Sequence, residues 1–185
     1  MVIRVSGYPG AGKTTLCLRL IKELGYDYHA ASAVFRRIAE ERGVSIEAFY
    51  TSLASNPDFE REVDAEQTRL LAKHEHLIVD GRIAPFLPCP FPSLNILLLA
   101  DPTEAARRNL RRPENVGRTI EDMQTQTEER IRVERAHYQA LYGIDDHLGP
   151  AHYDLVIDTT ALTPEDVFEA VMEQIKLFPS SPPSS

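Results

Sequence analysis

The chain is short of positive charge, of cysteine and of long apolar runs, and each shortage removes a class of function. Lysine and arginine number 20 against 28 acids, a formal net charge of −8. Broad nucleic-acid binding, which needs a basic face, is therefore not expected. The two cysteines, Cys17 and Cys89, stand far apart and fit no metal-ligand spacing. Cys17 falls in an apolar helical pattern and reads as a buried thiol in a reducing compartment. No apolar run approaches the ~18 residues of a membrane-crossing helix, and the N-terminus enters a strand without a charged segment, apolar stretch and cleavage site. A cytoplasmic protein with no membrane partner is the expectation. The guanine-reading sequence N-K-x-D is also missing, which excludes the usual GTPase.

What remains is an ordinary globular composition, 43% hydrophobic and 26% charged over 185 residues, enough for one domain with a sizeable core. Four apolar runs have strand character: 2–6, 77–80, 94–100 and 154–158, with a weaker fifth at 26–30. They lack polar/apolar alternation, as strands buried on both faces of a parallel sheet do. Helical patterns fill the intervals at 12–24, 33–42, 45–54, 57–73, 102–112 and 119–141. In the third, Ser45 caps and Glu47 lies in the first turn. A last helix starts at TPED, with Thr163 as cap, Pro164 at the first position and Asp166 closing a capping box. Strands alternating with helices give an α/β fold with a parallel sheet. A single domain over 1–178 is expected. The closing FPSSPPSS cannot form a core, so 179–185 reads as a disordered tail. RRPENVGRT, between two arginine-rich helices, reads as a mobile excursion.

One stretch carries chemistry directly. GYPGAGKTT follows the first strand and opens the first helix, and Gly7, Gly12, Lys13 and Thr14 fit G-x-x-x-x-G-K-[ST], the Walker A loop. Its glycines let successive N–H groups turn inward around phosphate oxygens. Lys13 reaches the β- and γ-phosphates, Thr14 offers its hydroxyl to Mg²⁺, and the helix points its positive end at the anion. The ATP-binding segment is thus Gly7, Tyr8, Pro9, Gly10, Ala11, Gly12, Lys13, Thr14 and Thr15. A small kinase for a small-molecule acceptor fits this length best; its remaining needs are an acceptor pocket and a lid.

Phosphoryl transfer needs positioning and positive charge around the transferring group, which directs attention to arginines at the carboxyl ends of strands. Arg36, in ASAVFRR, and Arg82, in LIVDGR, can together grip an acceptor phosphate with the fork geometry that lysine lacks. Arg37 reads as solvated. Asp80, closing an apolar strand, either orients the water shell of Mg²⁺ in the manner of a Walker B acid or caps a turn. Arginines at 107, 108, 111, 112, 118, 130, 132 and 135 form a lid-like group, most of them paired with Glu128, Glu129 and Glu134 on a solvated face. Arg130 and Arg135 are five apart, so both serve one cleft only if the helix bends or its register runs along it. His74–His76 reads as a polar helix end, His147 and His152 carry no assignment, and Tyr138 and Tyr142 read as core.

Together these residues resemble the cytidylate kinases, in particular the short archaeal-type branch of the P-loop nucleoside monophosphate kinases. The likeness runs through GYPGAGKTT, FRRIAEERG and SIEAF, NPDFEREVDAEQ, VDGRIA, ERAHYQALYGID and YDLVIDTT. It implies a five-stranded parallel sheet with helices on both faces, an acceptor region at about 31–75 and a short lid at about 107–135. It implies transfer from ATP to CMP or dCMP with Mg²⁺, in a monomer. Arg36 and Arg82 match arginines that bind the acceptor phosphate, and Arg130 and Arg135 match lid arginines that act with Lys13 in catalysis. Asp64 lies near the base-reading region, and the 45–54 helix belongs to the acceptor wall. The family's serine-alanine-glycine step before the FR pair is replaced by Ala30, Ala31 and Ser32, which crowds the acceptor's approach at Ser32. RRPENVGRT departs as well. Read from the residues alone, the acceptor stays open between CMP, AMP, UMP and a small hydroxyl metabolite, and a non-catalytic ATP-binding module is the remaining alternative. Because a hydroxyl acceptor needs a general base and only Asp80 offers one, the residues favour a phosphate acceptor.

Overall fold

A computed structural model describes residues 1–44 and 58–178. The expected helix at 45–54, its Ser45 cap, the helix start at Pro57 and the tail at 179–185 lie outside the described residues. Within them run, besides three single-turn 3-10 helices, five strands and six α-helices: β1 (Val2–Gly7), α1 (Lys13–Leu24), β2 (Asp27–Ala30), α2 (Ala31–Glu41), α3 (Asp58–Leu71), β3 (Leu77–Asp80), β4 (Ser93–Leu99), α4 (Pro102–Leu110), α5 (Ile120–Tyr142), β5 (Leu155–Asp158) and α6 (Pro164–Leu177). The strands form one parallel sheet in the order β2-β3-β1-β4-β5.

β1 lies between β3 and β4, and its alternate side chains go to different helical layers. Ile3 and Val5 pack with Leu16 and Leu20 of α1 and with Val167 and Val171 of α6. Val2 packs on the other face with Leu71 of α3, while Leu97 of β4 meets Ile131 of α5. A strand covered on both faces has no polar side to alternate with, and for β1, β3 and most of β4 the expected burial holds. The two edge strands are the exceptions. No residue of β2 is buried, and in β5 only Ile157 is buried and Val156 is exposed, because each strand has a neighbour on one side only. Each fully buried leucine or isoleucine in these layers contributes roughly 1.5–3 kcal/mol.

Helix starts divide into two kinds. Asp101 caps α4, and Thr119 with Asp122 and Thr163 with Asp166 form reciprocal capping boxes on α5 and α6. α1 begins behind Gly12 and α2 behind Ala30, both without a side-chain cap or an acid in the first turn. Their first-turn N–H groups and positive dipole ends therefore meet no capping side chain or acid; α2 follows β2 directly, and α1 follows β1 across the loop 8–12. α2 starts at Ala31, two residues before the pattern suggested, because β2 passes into it without a loop. His74 and His76 sit in the turn after α3, where His74 pairs with Asp27 and His76 lies against Tyr26.

Candidate active site

The loop between β1 and α1 is held close against its neighbours. A Cβ on Gly7 would lie 2.2 Å from Leu98 O of β4, and one on Gly10 would lie 2.6 Å from Ala105 O of α4. Both glycines have positive φ, so only the smallest residue permits this approach. Thr159, buried beyond β5, places Oγ1 3.1 Å from Ala11 O and 3.0 Å from Leu99 O, its single proton shared between them. Arg108 in turn donates to Thr159 Oγ1 at 2.9 Å and to Thr159 O at 2.8 Å. Over the loop lies a cleft of about 500 Å³, bounded by Arg108, Arg111 and Arg112 on one side and Thr159 and Leu162 on the other. Thr14 and Thr15 are exposed at its floor.

Lys13 Nζ donates to Gly7 O at 2.9 Å and Tyr8 O at 3.1 Å. Burial, with Arg82 and Arg130 nearby, lowers its pKa from 10.5 to about 8, against the opposing pull of Asp80 and Glu134. A phosphate bound there would raise it again by supplying negative charge beside the ammonium. ATP affinity is therefore expected to be greatest below about pH 8 and to fall by up to about tenfold per pH unit above it. Titrating ATP against the protein from pH 7.5 to 9.5 checks this, and a flat profile contradicts it.

The charged groups around Lys13 define the site. Arg82 follows β3, and its NH1 lies 3.0 Å from Glu134 Oε2 of α5. Arg130 Nε donates to Glu134 Oε1 at 2.8 Å. His147, fully buried and edge-on to Tyr138, places Nε2 3.5 Å from Glu134 Oε2. Burial alone would push the Glu134 carboxyl up, but Arg82, His147 and Arg130 hold it far below the usual carboxylate range. Asp80 is buried at the end of β3. Burial and the nearby Asp80 carboxylate push the Tyr28 hydroxyl well up, so it stays protonated beside Asp80. Arg36, exposed on α2, lies within electrostatic reach of Tyr28.

Asp64, inside α3, is buried and accepts from the Tyr142 hydroxyl and, at 3.5 Å, from Gln67 Nε2. Gln67 Oε1 lies 2.7 Å from the position of a Cβ on Gly81, which brings this polar cluster beside Arg82. Ser32 is half-buried in the first turn of α2.

Lys13, Asp80, Arg82 and Arg130 are thus gathered in one place, with Asp64 and Arg36 flanking them. Arg135 is not among them. α5 is helical throughout, so Arg135 emerges on another side and donates to both oxygens of Asp146 at 3.2 and 3.1 Å. Sequence reasoning missed three members. Glu134 was one of several helix acids, His147 had no assignment, and Tyr142 had been read as core although its hydroxyl serves Asp64. Apart from Arg130 four residues before Glu134, nothing local marks them, since their partners lie on β3, α3 and the turn after α5. Arg37 is solvated as expected, paired with Glu41 and Glu66, and Cys17 is buried.

A family model described as an AAA domain matches residues 3–131. A cytidylate kinase of Pyrococcus abyssi is 37% identical over 175 residues, covering 95% of this chain and 93% of the relative. One of Methanopyrus kandleri is 31% identical over 184 residues, covering 95% and 93%. The crystal structure of shikimate kinase from Bacteroides thetaiotaomicron overlays with a TM-score of 0.63 at 16% identity, over 95% of this chain and 98% of that one. That likeness concerns the fold alone. A five-stranded parallel sheet, a Walker A loop facing convergent arginines and this degree of identity over nearly the whole length have one reading: the chain belongs to the cytidylate kinase family of P-loop kinases.

Proposed function

We propose that the protein transfers the γ-phosphoryl group of ATP to CMP or dCMP, forming ADP and CDP or dCDP. The observation that carries this reading is the meeting of Lys13, Arg82 and Arg130 around one point at the carboxyl edge of the sheet. ATP phosphates fit the loop Gly7–Thr15, where Lys13 and the uncapped N-terminus of α1 supply positive charge. The acceptor phosphate fits between Arg82 and Arg36, near Ser32 at the uncapped start of α2. An acceptor phosphate is ionised at neutral pH and attacks without a general base. The residues' task is then to align the two phosphates, offset their charge and keep water out.

The residues present also fit Mg²⁺. The exposed hydroxyl of Thr14 and the carboxylate of Asp80 are hard oxygen donors, Asp80 acting through water, and two such groups with phosphate oxygens are what this ion commonly takes. Bound there, Mg²⁺ would neutralise charge on the β- and γ-phosphates.

Base choice is assigned to Asp64. An ionised carboxylate accepts from the exocyclic amine of cytosine and repels the carbonyl oxygen that uracil has in its place. Asp64→Asn is expected to reduce the preference for CMP over UMP by roughly 10–100-fold. Measurement of kcat/KM for both acceptors tests this; an unchanged ratio removes Asp64 from base reading. The function as a whole is tested by ADP release with CMP, dCMP, UMP and AMP as acceptors, with and without Mg²⁺. Turnover is expected with CMP or dCMP and only with Mg²⁺, and failure of all four acceptors overturns the reading.

A further inference from the structure

Building on the kinase reading above, we propose that Glu134 is a positioning residue for phosphoryl transfer, one carboxylate on α5 that holds Arg82 and Arg130 side by side as a matched pair. Oε1 takes Arg130 Nε at 2.8 Å, and Oε2 faces Arg82 NH1 at 3.0 Å and His147 Nε2 at 3.5 Å. Two guanidiniums and the Lys13 ammonium converging on one point repel one another, and the carboxylate among them offsets that repulsion. The Arg82 and Glu134 side chains are only 13% and 15% exposed, so solvent screens this charge weakly. Arg82 NH1 meets Glu134 Oε2 as an ion pair without forming a hydrogen bond, and a guanidinium with five donors can offer another edge to phosphate oxygens.

Glu134 is itself backed from behind. His147 sits on the turn after α5, and Asp146 pins that turn by accepting from Leu148 N at 3.0 Å and from Arg135. Arg135 thereby acts on the site at two removes, through Asp146 and then His147. Arg82 stands just after β3 and Arg130 on α5, so a shared anion is what ties their separation together.

The test compares Glu134→Gln and Glu134→Asp with the unaltered protein, using CMP, ATP and Mg²⁺. Gln keeps the size and the acceptor oxygen but removes the charge; kcat is expected to fall by roughly 10–100-fold, with both KM values within about threefold. A purely structural role would lower the folded fraction and leave turnover per folded molecule unchanged, so kcat and both KM values are measured against the folded fraction. Asp keeps the charge but not the reach; kcat should fall with it too, and it carries the test if Gln does not fold. A kcat within about twofold of wild type for either folded variant, or a loss in Glu134→Gln carried by KM rather than by kcat, overturns the proposal. If the unaltered protein turns over none of CMP, dCMP, UMP and AMP, the kinase reading falls and takes this inference with it. Normal wild-type turnover with an unaffected variant removes only the role of Glu134.

Discussion

Lys13→Ala is expected to lower kcat/KM for CMP phosphorylation by roughly 10³-fold or more, since it removes the cation that faces the transferring group in a water-poor site. The fold should survive. Lys13 is desolvated, and Arg82 and Arg130 both oppose its charge, so alanine relieves a penalty in the free protein. What is lost is two donations to Gly7 O and Tyr8 O, each contributing about 1 kcal/mol. Unfolding by urea should therefore shift little, within about 1–2 kcal/mol, while coupled ADP release falls to background. A variant that unfolds together with its activity would contradict this, because Lys13 would then be holding the loop rather than the phosphates.

Arg82→Ala should cost both activity and stability. The ion pair with Glu134 is largely buried, and breaking such a pair leaves an under-compensated carboxylate, a loss of about 3 kcal/mol. His147 and Arg130 remain beside Glu134 and keep the loss from being larger. On the proposed function turnover should drop by roughly 10²–10³-fold, because the acceptor phosphate would lose its fork-shaped partner. Arg82→Lys separates the two effects. Its charge should restore most of the stability, but a point charge cannot span both Glu134 and a phosphate, so kcat stays low. There is a pH signature as well. Glu134 is held below its ordinary value of 4.5, so its contribution is complete above that pH and drains away as the pH falls below it. Arg82→Ala should flatten this acid dependence. If the alanine variant retained activity within about threefold and an unchanged acid transition, Arg82 would belong to the surface rather than to the site.

The fold and the donor half of the site were legible in the chain because they are written in local chemistry. Uninterrupted apolar runs report strands covered on both faces, and GYPGAGKTT must follow a strand and open a helix to work. TPED announces a helix start by the bonds its own side chains make. Even there the pattern overreached at β5, where burial on both faces depends on a neighbour that an edge strand does not have. The charged helix α5 was the opposite case. Its arginines and acids were visible, but Arg130 and Arg135 could not be told apart, because sequence spacing does not say which side of a helix meets the sheet.

By itself, then, the sequence determined the parallel sheet, the phosphate loop, Lys13 and Thr14, and the presence of arginines fit for a second phosphate. Tertiary structure decided which of those arginines belong together. It put Glu134 between Arg82 and Arg130 and His147 behind it, set Tyr142 and Gln67 on Asp64, and sent Arg135 to Asp146. The physical reason is the range of the forces. Helix caps, glycine turns and apolar periodicity act within a few residues and leave a local trace. A buried ion pair joins elements distant in the chain, and its meaning arises only when folding removes the water between them.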